Sequence, residues 1–103
     1  MHRGEVRWYR FGQPDKRRPV VVLTREPALT YLGDTTIAPI TRTIRDVPTE
    51  VILTVDDGMP TECAVNLDHV QTVNKGKIGA LITTLDETKM KSVRRALLFA
   101  LGF

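Results

Sequence analysis

"RRPVVVLT", residues 17–24, sets two cations and a proline directly before a continuous apolar run. An uninterrupted β-branched run of this length is typical of a strand that is covered on both faces. Pro19 suits the start of such a strand, where no backbone N–H is needed for the ladder. The stretch therefore predicts a buried strand over residues 20–24, with Arg17 and Arg18 at its entrance.

Other segments also have strand character, because they are short, rich in β-branched or aromatic residues and bounded by turn signals. Gly12 and Pro14 break the first of them and predict a loop from Gln13 to Arg17. The predicted strands cover residues 4–11, 35–41 and 49–55, and residues 61–73 supply one or two more.

The end of the chain has a different periodicity, which predicts a helix over residues 86–101. Thr84 and Glu87 form a capping-box pattern before it, and Gly102 suits its exit. Residues 26–33 are helical for only a turn or two, with Gly33 as the stop. The apolar side chains at helical spacing are Met90, Val93, Leu97, Ala100 and Leu101.

Short strands followed by one helix, without strand–helix–strand alternation, define the predicted fold class. We expect a mostly β protein with helices (α+β), built as a small antiparallel barrel or half-barrel with the C-terminal helix laid on it. The chain has 103 residues, which is enough for one core and not for two. A single domain over residues 1–103 follows.

The composition excludes several classes of function. One cysteine, Cys63, and two histidines allow no internal disulfide and no multi-cysteine zinc site, so we expect no metal and no cofactor. The sequence has no P-loop, dinucleotide-binding glycine pattern or nucleophile elbow. It also shows neither a signal peptide nor a membrane-spanning run, which predicts a cytoplasmic protein without a membrane partner.

Positive charge is concentrated in the first half of the chain. The net charge is +3, and residues 1–50 hold nine Lys and Arg against six Asp and Glu, whereas residues 51–103 hold six of each. Such an excess suits a phosphate-bearing ligand or an acidic partner, although a solvated basic face produces the same pattern.

Polar side chains stand at the ends of several predicted strands. Arg18 precedes the strand that starts at Pro19, Thr41 closes the third strand, and Asp68 and His69 interrupt the last sheet segment. Strand ends from different parts of a barrel can meet at one rim. A guanidinium at such a rim suits phosphate, because its planar fork forms paired hydrogen bonds and keeps its charge.

These residues lie within five short motifs that together extend over nearly the whole chain. The motifs are Arg3-Gly4-Glu5-Val6 with Trp8, Arg17-Arg18-Pro19 with residues 20–23, Ala38-Pro39-Ile40-Thr41, residues 68–73, and the amphipathic end at residues 97–102. Together they resemble the MazF/PemK toxins. The resemblance implies an SH3-like barrel shared with the CcdB-type gyrase poisons, a homodimer, and a metal-independent endoribonuclease that cuts single-stranded RNA at short sequences. It also implies a cognate antitoxin with an acidic, disordered C-terminal tail.

The resemblance further implies roles for individual residues. Arg18 and Thr41 match the family's catalytic positions, and Asp68 is a third candidate. The identity of the proton acceptor stays open between Asp68 and His69. The segment departs from the family at Gln71, where an arginine is frequent, so the RNA target sequence does not follow. The remaining predicted RNA-binding residues are Lys16, Arg17, Arg42, His69 and Gln71.

Each of these residues also has a purely structural interpretation. Lys16 and Arg17 can simply solubilise a loop, Thr41 is common on pleated surfaces, and Asp68 can pin a turn. Two other functions fit the same fold: a CcdB-like poison that binds a protein target, and an adaptor without enzymatic activity. The joint presence of Arg18 and Thr41 favours the nuclease, because neither alternative needs that pair.

Overall fold

The computed structural model describes residues 1–12 and 16–103; Gln13, Pro14 and Asp15, within the predicted loop, lie outside the described residues. The described residues form seven strands and one α-helix, and short 3₁₀ turns cover Glu26–Thr30, Val55–Asp57, Leu67–His69 and Lys75–Lys77. The strands and helix are β1 (Glu5–Phe11), β2 (Lys16–Val22), β3 (Asp34–Thr41), β4 (Glu50–Leu53), β5 (Cys63–Asn66), β6 (Gln71–Asn74), β7 (Ile78–Thr84) and α1 (Glu87–Leu101).

All strand pairings are antiparallel, and they follow the order β4-β5-β3-β2-β1-β7, with β6 also paired to β3. The predicted fold class, an antiparallel β structure with a C-terminal helix, is confirmed. The described strands do not close into a full barrel, because β4 and β7 remain the two ends of the sheet.

We infer a bend in strand β3 from its pairing on one edge. Ile40 faces Val65 of β5, whereas Ile37 faces Gln71 of β6. Three residue steps along β3 are therefore matched by six along the chain that runs from β5 to β6. The three extra residues form the turn Leu67–His69. Extra residues on one strand of a pair bend the sheet and increase its twist. The end of β3 therefore curves away with β5.

Strand β2 is buried on both of its faces, as its sequence predicts. Val20, Val21 and Val22 are fully buried. Val21 belongs to the main core, while Val20 belongs to a smaller cluster with Ile37 on the opposite face of the sheet. Each such side chain contributes about 1.5–3 kcal/mol relative to an exposed one. The valine run therefore fixes β2 in the centre of the sheet.

The C-terminal helix covers one face of this sheet and confirms the predicted helix. Val93 and Ala96 are its buried residues, and it packs against β4 and the turn Leu67–His69. Its N-cap is Asp86, whose side chain accepts a hydrogen bond from Lys89 N at 2.7 Å, so the predicted capping box from Thr84 is wrong. Thr84 instead ends β7. No helix of residues 1–12 and 16–103 is long and apolar enough to span a bilayer.

The predicted strand over residues 49–55 is too long, because β4 ends at Leu53 and Val55 begins a 3₁₀ turn. Two further strand assignments from sequence also differ from the structure. β2 begins at Lys16, so Lys16 and Arg17 lie on a strand and not in a loop. Their pairing with Phe11 and Arg10 of β1 extends the hairpin beyond the apolar run. β7 was not predicted, because "IGALITT" has neither strict alternation nor a continuous β-branched run. Its strand state comes from pairing with β1, which is distant in sequence.

A partly buried ion pair lies at the start of β1, and its arginine also binds β7. Glu5 Oε1 accepts a hydrogen bond from Arg7 Nε at 2.8 Å, and Arg7 Nη1 donates to the carbonyl of Gly79 in β7 at 2.9 Å. Burial raises the pKa of the Glu5 carboxyl, but Arg7 and the His2 backbone outweigh this effect and hold the pKa below its ordinary value. The carboxylate therefore stabilises the folded state when it is charged.

We predict that Glu5→Gln lowers the free energy of unfolding by about 1.5–3 kcal/mol at pH 7, because a charge-assisted hydrogen bond is lost. The lowered pKa makes this contribution fully present above the unfolded pKa, and it disappears as pH falls through the folded pKa. Urea unfolding at pH 7 and at progressively lower pH measures the difference, with exposed Glu62→Gln as the control. A difference that stays constant into acid would contradict the role of the charge.

Candidate functional site

A cleft of about 360 Å³ opens between the start of β2 and the end of β3. Its walls are polar strand ends and its floor is apolar. The lining residues are Trp8, Arg17, Arg18, Pro19, Ile40, Thr41, Arg42, Thr43, Met59, Pro60, Thr61 and Cys63. We call this space the β2–β3 cleft.

The cleft exists because β2 and β3 separate at a defined point. The last paired residues are Val20 and Pro39, after which β3 continues along β5. Pro19 and Pro39 have no N–H, so the ladder can end here without leaving a backbone donor unpaired at either position. Counting two residues beyond the pair of Val20 with Pro39 places Arg18 opposite Thr41. The two strand ends thus present these residues across the opening.

Arg18 and Thr41 differ in exposure and in hydrogen bonding. Arg18 is exposed, which leaves its guanidinium accessible from solvent. Thr41 is half-buried, and its Oγ1 accepts a hydrogen bond from the Thr43 backbone N at 3.1 Å. Because a threonine hydroxyl both accepts and donates, its hydrogen can still be donated into the cleft. The pair therefore combines a fixed positive charge with a hydroxyl donor.

The described lining of the cleft is strongly positive. Arg17, Arg18 and Arg42 contribute three guanidinium groups, and the lining contains no aspartate or glutamate. Cys63 at the floor is buried, and desolvation raises the pKa of its thiol, with the Asp57 and Glu62 charges adding to this effect. The thiol stays protonated at neutral pH and supplies no thiolate nucleophile. The charge pattern therefore suits an anion bound between the strand ends.

Arg17 is held over an aromatic ring. Its Cζ lies 4.3 Å from the centroid of the Trp8 ring, within the range of a cation–π contact. This contact follows from the hairpin, since Trp8 pairs with Pro19 and Arg17 is the diagonal neighbour on the same face. Arg17 is therefore part of the cleft wall.

Four of the predicted site residues do not line this cleft within one chain. Asp68, His69 and Gln71 lie in or beside the turn that bends β3, on the edge of β3 opposite to β2. Lys16 is exposed at the start of β2 and pairs with Phe11. The residues that the structure does bring together are Arg17, Arg18, Thr41 and Arg42. The functional roles assigned to all eight remain predictions.

Asp68 has a clear structural function. Its Oδ2 accepts a hydrogen bond of 2.6 Å from the hydroxyl of buried Thr49, and its backbone N donates to Asn66 Oδ1 at 3.0 Å. His69 Nδ1 lies 3.3 Å from Asn66 Nδ2, and Gln71 Nε2 donates to the His69 carbonyl at 3.4 Å. The bond to Thr49 clamps the extra turn to the residue that precedes β4, and the other contacts lie within the turn and its flanking residues.

One wall of the cleft has no signal in the local sequence. Thr43, Met59, Pro60 and Thr61 come from two irregular segments that follow β3 and precede β5. The turn at Gly58 brings the second segment back, since its φ of 93° is accessible mainly to glycine. A turn at this place is predictable from Asp-Asp-Gly, but its approach to β3 is a tertiary contact with no local signal.

Among residues 1–12 and 16–103, no three His, Cys, Asp or Glu side chains come together as a possible metal site.

Comparison with known proteins identifies the family. A family profile described as "PemK-like, MazF-like toxin of type II toxin-antitoxin system" matches residues 2–101. The chain belongs to this toxin family. It is 38% identical to "Probable endoribonuclease MazF5" of Mycobacterium tuberculosis over 96 residues, which cover 92% of this chain and 87% of that protein. It is 33% identical over 103 residues to "Probable endoribonuclease MazF2" of the same species, covering 99% of each.

A solved structure supports the same assignment. "Mycobacterium tuberculosis toxin MazF-mt6" superposes with a TM-score of 0.88 at 30% identity, covering 96% of this chain and 97% of that one. The resemblance seen in the sequence motifs is thereby confirmed, and so is the expected MazF-like fold.

We predict that Asp68→Ala lowers the free energy of unfolding by about 1–3 kcal/mol, because it leaves the buried Thr49 hydroxyl without its acceptor. Asp68→Asn keeps an acceptor oxygen and should cost less. Denaturant unfolding of both variants, and of Thr49→Val alone and combined with Asp68→Ala, measures the coupling energy. Strictly additive effects would show that this hydrogen bond does not contribute to the clamp.

Proposed function

We propose that the protein is a sequence-specific, metal-independent endoribonuclease toxin of a type II toxin–antitoxin system, acting on single-stranded RNA. The observation that carries the proposal is the placement of Arg18 and Thr41 on the two strand ends of a cleft whose described lining has three arginines and no carboxylate. The endoribonuclease names of its relatives support the same activity.

The proposed reaction is attack of a ribose 2′-oxygen on the neighbouring phosphorus. A 2′-O–P bond forms and the P–5′-O bond breaks, giving a 2′,3′-cyclic phosphate and a 5′-hydroxyl. The 2′-hydroxyl loses its proton to an acceptor, and the leaving 5′-oxygen gains one. Arg18 stabilises the negative charge that develops on the non-bridging oxygens, and Thr41 donates or relays a hydrogen bond to the phosphate.

The proton acceptor must come from outside the described lining, which holds no carboxylate and no imidazole. A guanidinium is a poor acceptor because it keeps its proton at any physiological pH. Asp68 and His69 remain the candidates, reaching the phosphate from the bent edge of β3 in the same chain or in a second copy.

We further propose that the toxin is a cytoplasmic homodimer that arrests growth by blocking translation. Exposed Phe99, Leu101 and Phe103 at the end of α1 supply apolar surface of the kind that dimers cover. A cognate antitoxin with an acidic, disordered C-terminal tail would complement the arginines of the cleft.

We predict that the purified protein cleaves long single-stranded RNA in EDTA and leaves cyclic phosphate and 5′-hydroxyl ends, because the proposed chemistry uses no metal. End-mapping of the products by ligation-dependent sequencing measures both the chemistry and the recognised bases. Cleavage that stops in EDTA, or no cleavage across diverse RNAs, would refute the mechanism. A protein-binding poison on the same fold would arrest growth without producing such ends.

We predict that Arg18→Ala and Thr41→Val each lower kcat by about 10²–10³-fold, the usual effect of removing one transition-state donor. Both positions lie at the cleft mouth, so thermal unfolding should show little change. Exposed Arg94→Ala on α1 is the matched control. If Arg18→Ala and Thr41→Val retain full activity, the site is wrongly placed. Asp68→Asn and His69→Gln, tested in parallel, identify the proton acceptor by which of them loses kcat.

A further inference from the structure

Trp8 and Arg17 are shared by two neighbouring clefts. One is the β2–β3 cleft; the other has a volume of about 230 Å³ and lies between β1, the start of β2 and β7. We call it the β1–β7 cleft. Its described lining combines two aromatic side chains, three cations and small residues of β7: Trp8, Tyr9, Arg10, Arg17, Lys77 and Gly79, together with Ala80. Trp8 and Arg17 therefore form a wall that the two clefts share.

The floor of the β1–β7 cleft is formed by closely packed backbone of β1 and β7. A Cβ on Gly79 would lie 3.2 Å from the Trp8 carbonyl oxygen, which is closer than most Cβ contacts, and 3.6 Å from Trp8 Cβ, which is an ordinary contact. Glycine therefore lets β7 approach β1 at the level of the indole. Arg7 Nη1 secures the same place by donating to the Gly79 carbonyl at 2.9 Å. The indole is thus attached to a rigid base.

The composition of this cleft distinguishes among anionic ligands. Lys77 and Arg17 are exposed cations, and the described lining contains no carboxylate. Positive charge alone would suit an acidic peptide as well as a nucleic acid. The indole of Trp8, with the Arg17 guanidinium carbon 4.3 Å from its ring centroid, favours the nucleic acid, because single strands are bound by a basic groove together with aromatic surfaces on which bases stack.

We propose that the β1–β7 cleft is a nucleotide-binding subsite that takes one nucleotide flanking the scissile phosphate. Its base stacks on the Trp8 and Arg17 pair, and its phosphate pairs with Lys77. The proposal rests on the nuclease function proposed above, since it extends the RNA path from the β2–β3 cleft across the shared wall. Specificity for bases beyond the scissile bond would be set at this wall.

Binding tests the subsite without cleavage. A 2′-O-methyl oligonucleotide lacks the attacking hydroxyl, and Trp8 is the single tryptophan of the chain, so its fluorescence reports directly on the wall. We expect this oligonucleotide to quench Trp8. Lys77→Glu should raise Kd and reduce the slope of log K against log salt by about 0.7, the effect of losing one phosphate contact on a single strand. Lys91→Glu, exposed on α1, is the matched control and should change neither.

The stacking contribution is measured with a labelled oligonucleotide by anisotropy. Trp8→Ala should weaken binding by about 5-fold to 150-fold, the range seen when a stacking aromatic is removed. Trp8→Phe, which keeps a ring and disturbs the hairpin less, should weaken it by a smaller factor. A Trp8→Ala protein that folds and binds like the parent would overturn the stacking role.

Cleavage assays separate this proposal from the nuclease proposal. If the parent cleaves RNA but Lys77→Glu leaves KM, Kd and salt slope unchanged, the subsite is overturned and the nuclease stands. If nothing is cleaved yet the 2′-O-methyl oligonucleotide quenches Trp8 in a Lys77-dependent way, the nuclease fails and the subsite is supported. A poly-glutamate peptide that quenches Trp8 where the oligonucleotide does not would overturn the subsite in favour of an acidic peptide groove.

Discussion

The bend in β3 is the constraint on which the site depends. Three residue steps along β3 are matched by six along the chain from β5 to β6, and the three surplus residues form the turn Leu67–His69. The turn is fixed by the Asp68 hydrogen bond to Thr49, so the bend is built into the fold and not left to a loose loop. Strand β2 stays in unbroken register with β1, whereas the end of β3 separates from β2 after Pro39. The cleft is the space that this departure leaves.

The same geometry explains why two arginines precede a buried valine run. From Val20 onward β2 is enclosed on both faces, whereas Arg17 and Arg18 remain exposed on the same strand. An isolated charge costs several kcal/mol to bury, so the arginines can stand only where β3 no longer covers β2. The valines in turn hold the strand rigidly. A short segment thereby anchors the core and presents fixed positive charge at its edge.

Local patterns were sufficient for part of this structure. The apolar run of β2 and the helical spacing of α1 were read correctly, because each signal lies within one segment. β7 and the wall at Met59 were missed because both owe their positions to partners distant in sequence. Strand ends indicated that Arg18 and Thr41 could meet, but Asp68 was expected at the same rim. The three-residue surplus that sends Asp68 to the other edge of β3 is a property of pairing register, which alternation alone does not reveal.

Charge complementarity alone does not set the function of the cleft. Three guanidinium groups without a carboxylate bind a phosphodiester or the acidic side chains of an inhibitor equally well in electrostatic terms. A toxin with an acidic antitoxin would exploit this equivalence, since occupation by carboxylates neutralises the groups that a phosphate needs. In the proposed reaction the Thr41 hydroxyl, which accepts a hydrogen bond from the Thr43 backbone, would separate substrate from inhibitor. Only a phosphate that is undergoing reaction develops extra negative charge on its oxygens, and a hydroxyl donor stabilises that charge.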